Sequence, residues 1–95
     1  MSEEKNILKT KSIDFALSCI RISKELMDSQ KEFILSKQFL KSGTSIGANI
    51  HEAQNAESKA DFIHKLAIAQ KECGETIYWI TLLQRSCYID LTSSA

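Results

Sequence analysis

Apolar residues recur at helical steps through almost the whole chain. In the last third, Phe62, Leu66, Ala69, Cys73, Thr76, Ile80, Leu83 and Cys87 alternate steps of four and three, the seam of a helix packed in a bundle. Ile63, Ala67, Ile77, Tyr78, Trp79 and Leu82 widen that surface beyond one stripe, as expected for a helix touching more than one neighbour. In the first third, Ile13, Ala16, Leu17 and Ile20 share one side and Phe15, Cys19, Ile22 and Leu26 the next. Between them Phe39, Gly43, Ile46, Ile50 and Ala53 keep helical phase through two glycines. The pattern predicts three helices, about Ser12 to Met27, about Gln30 to Ala56 and about Lys59 to Tyr88. Ser29 with Glu32 fits a capping box at the second helix start, and Ser58 with Asp61 a shorter-armed version at the third. With no proline and only three glycines, the class is all-α.

The stretch LKSGTSIGANIHEA, residues 40–53, decides between a phosphate loop and a helix with small residues on its packing face. A Walker-type loop needs GxxxxGK followed by Ser or Thr after a buried strand, and neither the spacing nor the lysine is here. A helix remains, and a glycine inside it costs about 1 kcal/mol against alanine, so each needs a close contact in return. In an antiparallel hairpin turning near Glu57, Gly43 is expected opposite Lys71–Gly74. Ser42, Ser45, Asn49 and Glu52 form a polar stripe beside the apolar one. It is either a hydrogen-bonded layer that sets register or a ligand site. Di-metal bundles use paired ExxH motifs, whereas this chain has one Asp61-x-x-His64 and an isolated His51. No metal or cofactor is expected. Glu72 and Glu75 are expected to make structural ion pairs with Lys41, the other reading being a catalytic carboxylate pair. No GxSxG elbow or Cys/His pairing supports hydrolase chemistry, so no catalytic residue is assigned.

Length changes the picture next. The 95 residues make one domain, 1–95, whose core supplies only a few kcal/mol, so self-association would help. Twelve basic and 12 acidic residues cancel, which excludes a global field attracting nucleic acid or anionic membrane. The charges are uneven, with eight Lys or Arg against four acids from Lys5 to Lys41 and four against six from Glu52 to Asp90. Cys19, Cys73 and Cys87, odd in number and without a CxxC pair, are expected as small core residues in a reducing compartment. The acidic start MSEEKNILK is unlike a signal peptide, and no run of about 18 apolar residues occurs. A cytoplasmic location, away from membrane, is expected.

The segment LSKQFLKSGTSIGANIHEAQNAESKADFIHKLAIAQKECGETIYWITLL resembles the four-helix-bundle family of 23S rRNA intervening-sequence proteins. Their hallmark is a SIxANIxEA-like core followed by SKxDFxxKLxIAxKExxETxYWLxLL, and the likeness spans roughly residues 12–90. It implies an antiparallel up-down bundle that assembles into a homo-oligomer, typically a pentamer, with no enzymatic activity. Relatives in retroelements are basic accessory proteins that bind nucleic acid and a reverse transcriptase. The recurring positions carried by this chain are Ser45, Ile46, Asn49, Glu52, Lys71, Glu72, Glu75, Tyr78 and Trp79, with Gly43 and Gly47 in the same motif. The chain departs from the pattern in being neutral and in reading DLTSSA where a fourth helix should begin. The fourth helix is therefore expected to be missing or truncated, with an apolar groove left uncovered. Two functions follow as expectations: a self-assembling, non-catalytic bundle serving as adaptor or scaffold, or an RNA/DNA-binding accessory protein using Lys24, Lys31, Lys37 and Lys41 with Lys5, Lys9 and Lys11.

Overall fold

The computed structural model describes residues 3–90, with side chains from Ile7 onward. Residues 91–95, where the expected fourth helix would begin, lie outside the described residues. Three helices follow one another: α1, Glu3–Gln30; α2, Leu35–Gln54; and α3, Lys59–Arg85. Helix α1 begins well before the expected Ser12. That serine lies inside the helix, its hydroxyl donating to the Lys9 carbonyl (2.8 Å), and it is buried against α2. No breaker stands between Glu3 and Ser12, so the helix runs through.

The first turn also departs from expectation. Ser29 falls in the last turn of α1 and makes no capping box. Lys31 takes a left-handed conformation (φ 55°) that ends α1, and the Glu32 N–H reaches back to the Leu26 carbonyl (3.0 Å). Glu32 then caps α2 from ahead of it. Its carboxylate accepts from the N–H groups of Ile34 (3.2 Å), Leu35 (3.0 Å) and Ser36 (2.6 Å), while the Ser36 hydroxyl donates to the Glu32 carbonyl (2.7 Å). Three of the four orphan amides of a helix start are so satisfied by one buried side chain. At α3 the expected cap holds, the Ser58 hydroxyl accepting from Asp61 N–H (3.0 Å). Helix α3 ends in a Schellman motif: Tyr88 N–H bonds the Leu83 carbonyl, Cys87 N–H that of Gln84, and Cys87 supplies the left-handed residue (φ 69°).

Both hairpins are antiparallel. In the first, Ser12, Cys19 and Ser23 of α1 meet Gly47, Gly43 and Ser36 of α2, small residues on both sides. A Cβ on Gly43 would collide with the Cys19 sulfur, and one on Gly47 would sit 3.3 Å from the Ser12 hydroxyl. The glycines of the opening motif therefore admit α1, not the Lys71–Gly74 segment of α3. Helical phase marks a face but not which neighbour fills it. In the second hairpin, Ser42 of α2 accepts from the Thr76 hydroxyl of α3 (3.0 Å, buried), and Lys65 pairs with Glu52 (2.7 Å). Ile46, Ile50 and Ala69 form one core cluster, and Cys19, Leu26, Phe39 and Leu83 another at the opposite end.

No α-carbon of α1 lies within 8 Å of one of α3. The two outer helices are joined at one end, where the Gln30 side-chain amide donates to the Tyr88 carbonyl (2.8 Å). Between them runs an apolar groove of about 560 Å³, lined by Phe15, Ile22, Leu26, Ile80, Leu83 and Tyr88 among others.

Of the three cysteines only Cys19 is in the core, where burial pushes its thiol up to about 11; Cys73 and Cys87 are exposed. The seam read from the sequence is thus rotated on α3: Ala69, Thr76 and Leu83 are its buried members. A thiol reagent applied to the native protein should modify Cys73 and Cys87 and leave Cys19 untouched until the chain is unfolded. Mass spectrometry of the labelled chain checks this, and rapid native labelling of Cys19 would contradict the packing.

Candidate functional site

On the side of the α2–α3 hairpin, Lys41, Lys71, Glu72, Glu75, Tyr78 and Trp79 line a polar groove of about 770 Å³. Five of these are positions that the family resemblance singles out. Helical spacing explains the gathering, since 71, 72, 75, 78 and 79 return to one side of α3 every three or four residues. Tyr78 and Trp79 pack edge to face with ring centres 5.0 Å apart. Gln38 also lines the groove. Sequence reasoning passed it over, although it stands one turn before Lys41 on the same face.

Burial raises the Glu72 carboxyl above the ordinary carboxylate value, and the charge and hydrogen bond of Glu75 push it the same way. Lys71 and Lys41 oppose that shift through their charges alone. The expected Lys41 ion pairs are therefore not closed. Charge is compensated within the groove by two acids sharing a hydrogen bond beside two lysines.

The polar stripe of α2 is hydrogen-bonded throughout, Ser42 and Glu52 across to α3 and Ser45 and Asn49 within α2 itself. Ser42 pairs with Thr76, Ser45 donates to the Lys41 carbonyl (2.7 Å), Asn49 donates to the Ser45 carbonyl (2.9 Å), and Glu52 holds Lys65. Lys65 lowers the Glu52 carboxyl through its hydrogen bond and charge, and Glu52 raises Lys65 in return. Ile46 is core, and Gly43 and Gly47 are spacers for α1. Among the described residues no three His, Cys, Asp or Glu side chains gather as a metal ion would require.

The candidate nucleic-acid lysines divide. Lys24, Lys31 and Lys37 are exposed around the α1–α2 turn, where the Ser23 hydroxyl meets the Ser36 carbonyl (3.3 Å). Lys41 instead belongs to the groove with Glu72 and Glu75.

Three helices packed antiparallel in sequence order, the first two through small residues, define a small helical bundle among the described residues. A family model makes this specific, matching residues 4–95. The chain belongs to the family of 23S rRNA-intervening sequence proteins. The crystal structure of a protein of unknown function from the S23 ribosomal protein family of Bacteroides thetaiotaomicron is similar to it. The two are 55% identical with a TM-score of 0.91, the match covering 93% of this chain and 79% of that one. No curated protein matches.

Proposed function

We propose that this protein is a non-catalytic helical module whose task is assembly, with copies of itself as the first partner. The observation carrying this reading is its uncovered apolar surface. Among the described residues, 12 large hydrophobic side chains stand exposed and eight hydrophobic residues are buried. Exposed apolar side chains grouped on helix faces mark interfaces, and here they group: Ile13, Leu17 and Ile20 on α1, and Ile63, Ile77 and Tyr78 on α3. The α1–α3 groove, flanked by two helices whose backbones stay apart, is in this reading the seat of a fourth helix that completes the bundle. No helix among the described residues is long and apolar enough to cross a membrane, and we place the module in the cytoplasm.

Nucleic-acid binding has the smaller footing. It would rest on Lys24, Lys31 and Lys37 with the exposed Lys9 and Lys11, since the carboxylates beside Lys41 repel phosphate, while the Lys5 side chain lies outside the described residues.

Light scattering coupled to size-exclusion chromatography tests the assembly reading. At micromolar concentration the mass should be a defined multiple of the 10.7 kDa chain. A single-chain mass under those conditions would sink it.

A further inference from the structure

The turn between α1 and α2 is inside out. Its carboxylate, Glu32, is the only charged side chain buried among the described residues, whereas its apolar pair, Phe33 and Ile34, stands 47% and 76% exposed. No other large hydrophobic side chain among the described residues is as exposed as Ile34. Connecting segments run over the surface and are ordinarily built from polar residues, glycine and proline, so the inversion needs a cause.

The inversion is held in place by the fold. Lys31 takes the left-handed conformation (φ 55°), uncommon for a residue with a Cβ, and the Glu32 carboxylate is then bonded to the first amides of α2. With Glu32 fixed by three hydrogen bonds, Phe33 and Ile34 have settled places at the surface. Neither lines the α1–α3 groove or the polar groove of the α2–α3 hairpin, so an occupant of either groove does not account for them. They project where the end of α1, the start of α2 and the end of α3 come together, at one end of a body 44 Å long. A convex tip offers no groove to a partner helix. It fits a medium that yields around it.

The charges beside the pair identify the medium. Lys31 and Lys37 are exposed two residues before Phe33 and three after Ile34, and Lys24 and Arg85 are exposed near the same end. Of the acids there, Glu32 is turned inward, Asp28 lies one helical turn from Lys24, and Glu25 and Asp90 line the α1–α3 groove. The charges next to the apolar pair are therefore lysines. Reversible contact with a bilayer surface takes two signals, apolar side chains that enter the headgroup layer and cations that stay in water beside anionic lipid. This turn carries both. A nucleic-acid strand would engage the lysines and Phe33 but leave Ile34, the more exposed of the pair, without a role, since an aliphatic side chain offers bases no stacking platform.

We propose that the α1–α2 turn docks end-on to an anionic lipid bilayer, Phe33 and Ile34 entering the headgroup region and Lys31 and Lys37 lying against lipid phosphates. No part of the chain crosses the bilayer in this arrangement. A neutral composition hides such a contact, because it averages a local patch over the whole chain. The contact does not depend on self-assembly, although several tips on one side of an assembly bind more tightly than one.

Sedimentation of the full chain with vesicles tests it, comparing phosphatidylcholine alone with phosphatidylcholine mixed with phosphatidylglycerol. Wild type should bind the mixed vesicles about tenfold or more tightly than the neutral ones, and added salt should weaken that binding. Phe33→Ser with Ile34→Ser, and separately Lys31→Glu with Lys37→Glu, should each weaken it about tenfold or more. All four side chains are exposed, so circular dichroism should show undiminished helix in both variants. Wild type that ignores the mixed vesicles overturns the proposal, and so does binding that either variant retains in full. A shift of single-stranded RNA that the lysine exchange abolishes, with no vesicle binding, assigns the patch to nucleic acid instead. The mass of the chain in solution decides the assembly reading separately.

Discussion

Replacing Glu32 by alanine should cost about 2–4 kcal/mol, the largest loss expected of any single side chain outside the apolar core. Hydrogen bonds to a charged acceptor contribute about 1.5–3 kcal/mol each, and an amide left without a partner away from water costs about 1–3. Glu32 serves three such amides at the first turn of α2, where the helix dipole also favours its charge. Burial pushes its carboxyl up, but the bonds from Leu35, Ser36 and Ile34 outweigh burial and hold it below the ordinary carboxylate value. The sign for stability follows. A carboxyl that is more acidic folded than unfolded contributes fully above its unfolded pKa, and the contribution is lost as pH falls through the folded one. Denaturant melts followed by circular dichroism should therefore show wild type losing stability on acidification through the carboxylate range, with Glu32→Gln less pH-dependent and intermediate at neutral pH. Equal stability of Glu32→Ala and wild type at pH 7 would contradict the capping account.

The second large effect is expected at Gly43. Leucine there should destabilise by about 1–3 kcal/mol, in spite of its better helix propensity, because its Cβ alone meets the buried Cys19 side chain. The obstacle is identified, so a compensating change is available. Gly43→Ala should be harmful in wild type and clearly less so beside Cys19→Ala, which removes the sulfur in its way. A double-mutant cycle measures this directly. Additive effects would show that Gly43 is not the contact point.

Where the sequence could be read, the controlling interaction was local. Ser58 caps α3 through a bond three residues away, and the phase of Phe39, Ile46, Ile50 and Ala53 carries straight through α2. All four of those residues are buried. What escaped the sequence was decided by tertiary packing. Ser12, read as the start of the first helix, lies inside it as a packing residue, because Gly47 lies over it. Glu32 resembles the back-reaching half of a capping box and reaches forward, because Lys31 turns the chain first. The two glycines announced a close approach but not its direction. On α3 an apolar face wider than one stripe left the inner seam undetermined, so Cys73 and Cys87 fell on the wrong side of it. For the polar groove, spacing placed Lys71, Glu72, Glu75, Tyr78 and Trp79 together, while the raised Glu72 carboxyl depends on burial that spacing does not report.

The wide backbone separation of α1 and α3 bears on how the chain reaches its native state. Both helix interfaces join elements adjacent in sequence, α1 with α2 and α2 with α3. Loop closure is therefore cheap, contact order is low, and the search for native pairings is short, the conditions under which helical domains fold fastest. Either hairpin can nucleate, since neither needs the far helix to define its register. Helix α2 is the shared half of both, so damage to its start at Glu32 should slow every route, whereas damage at the far end of α3 should leave the route through α1 and α2 open.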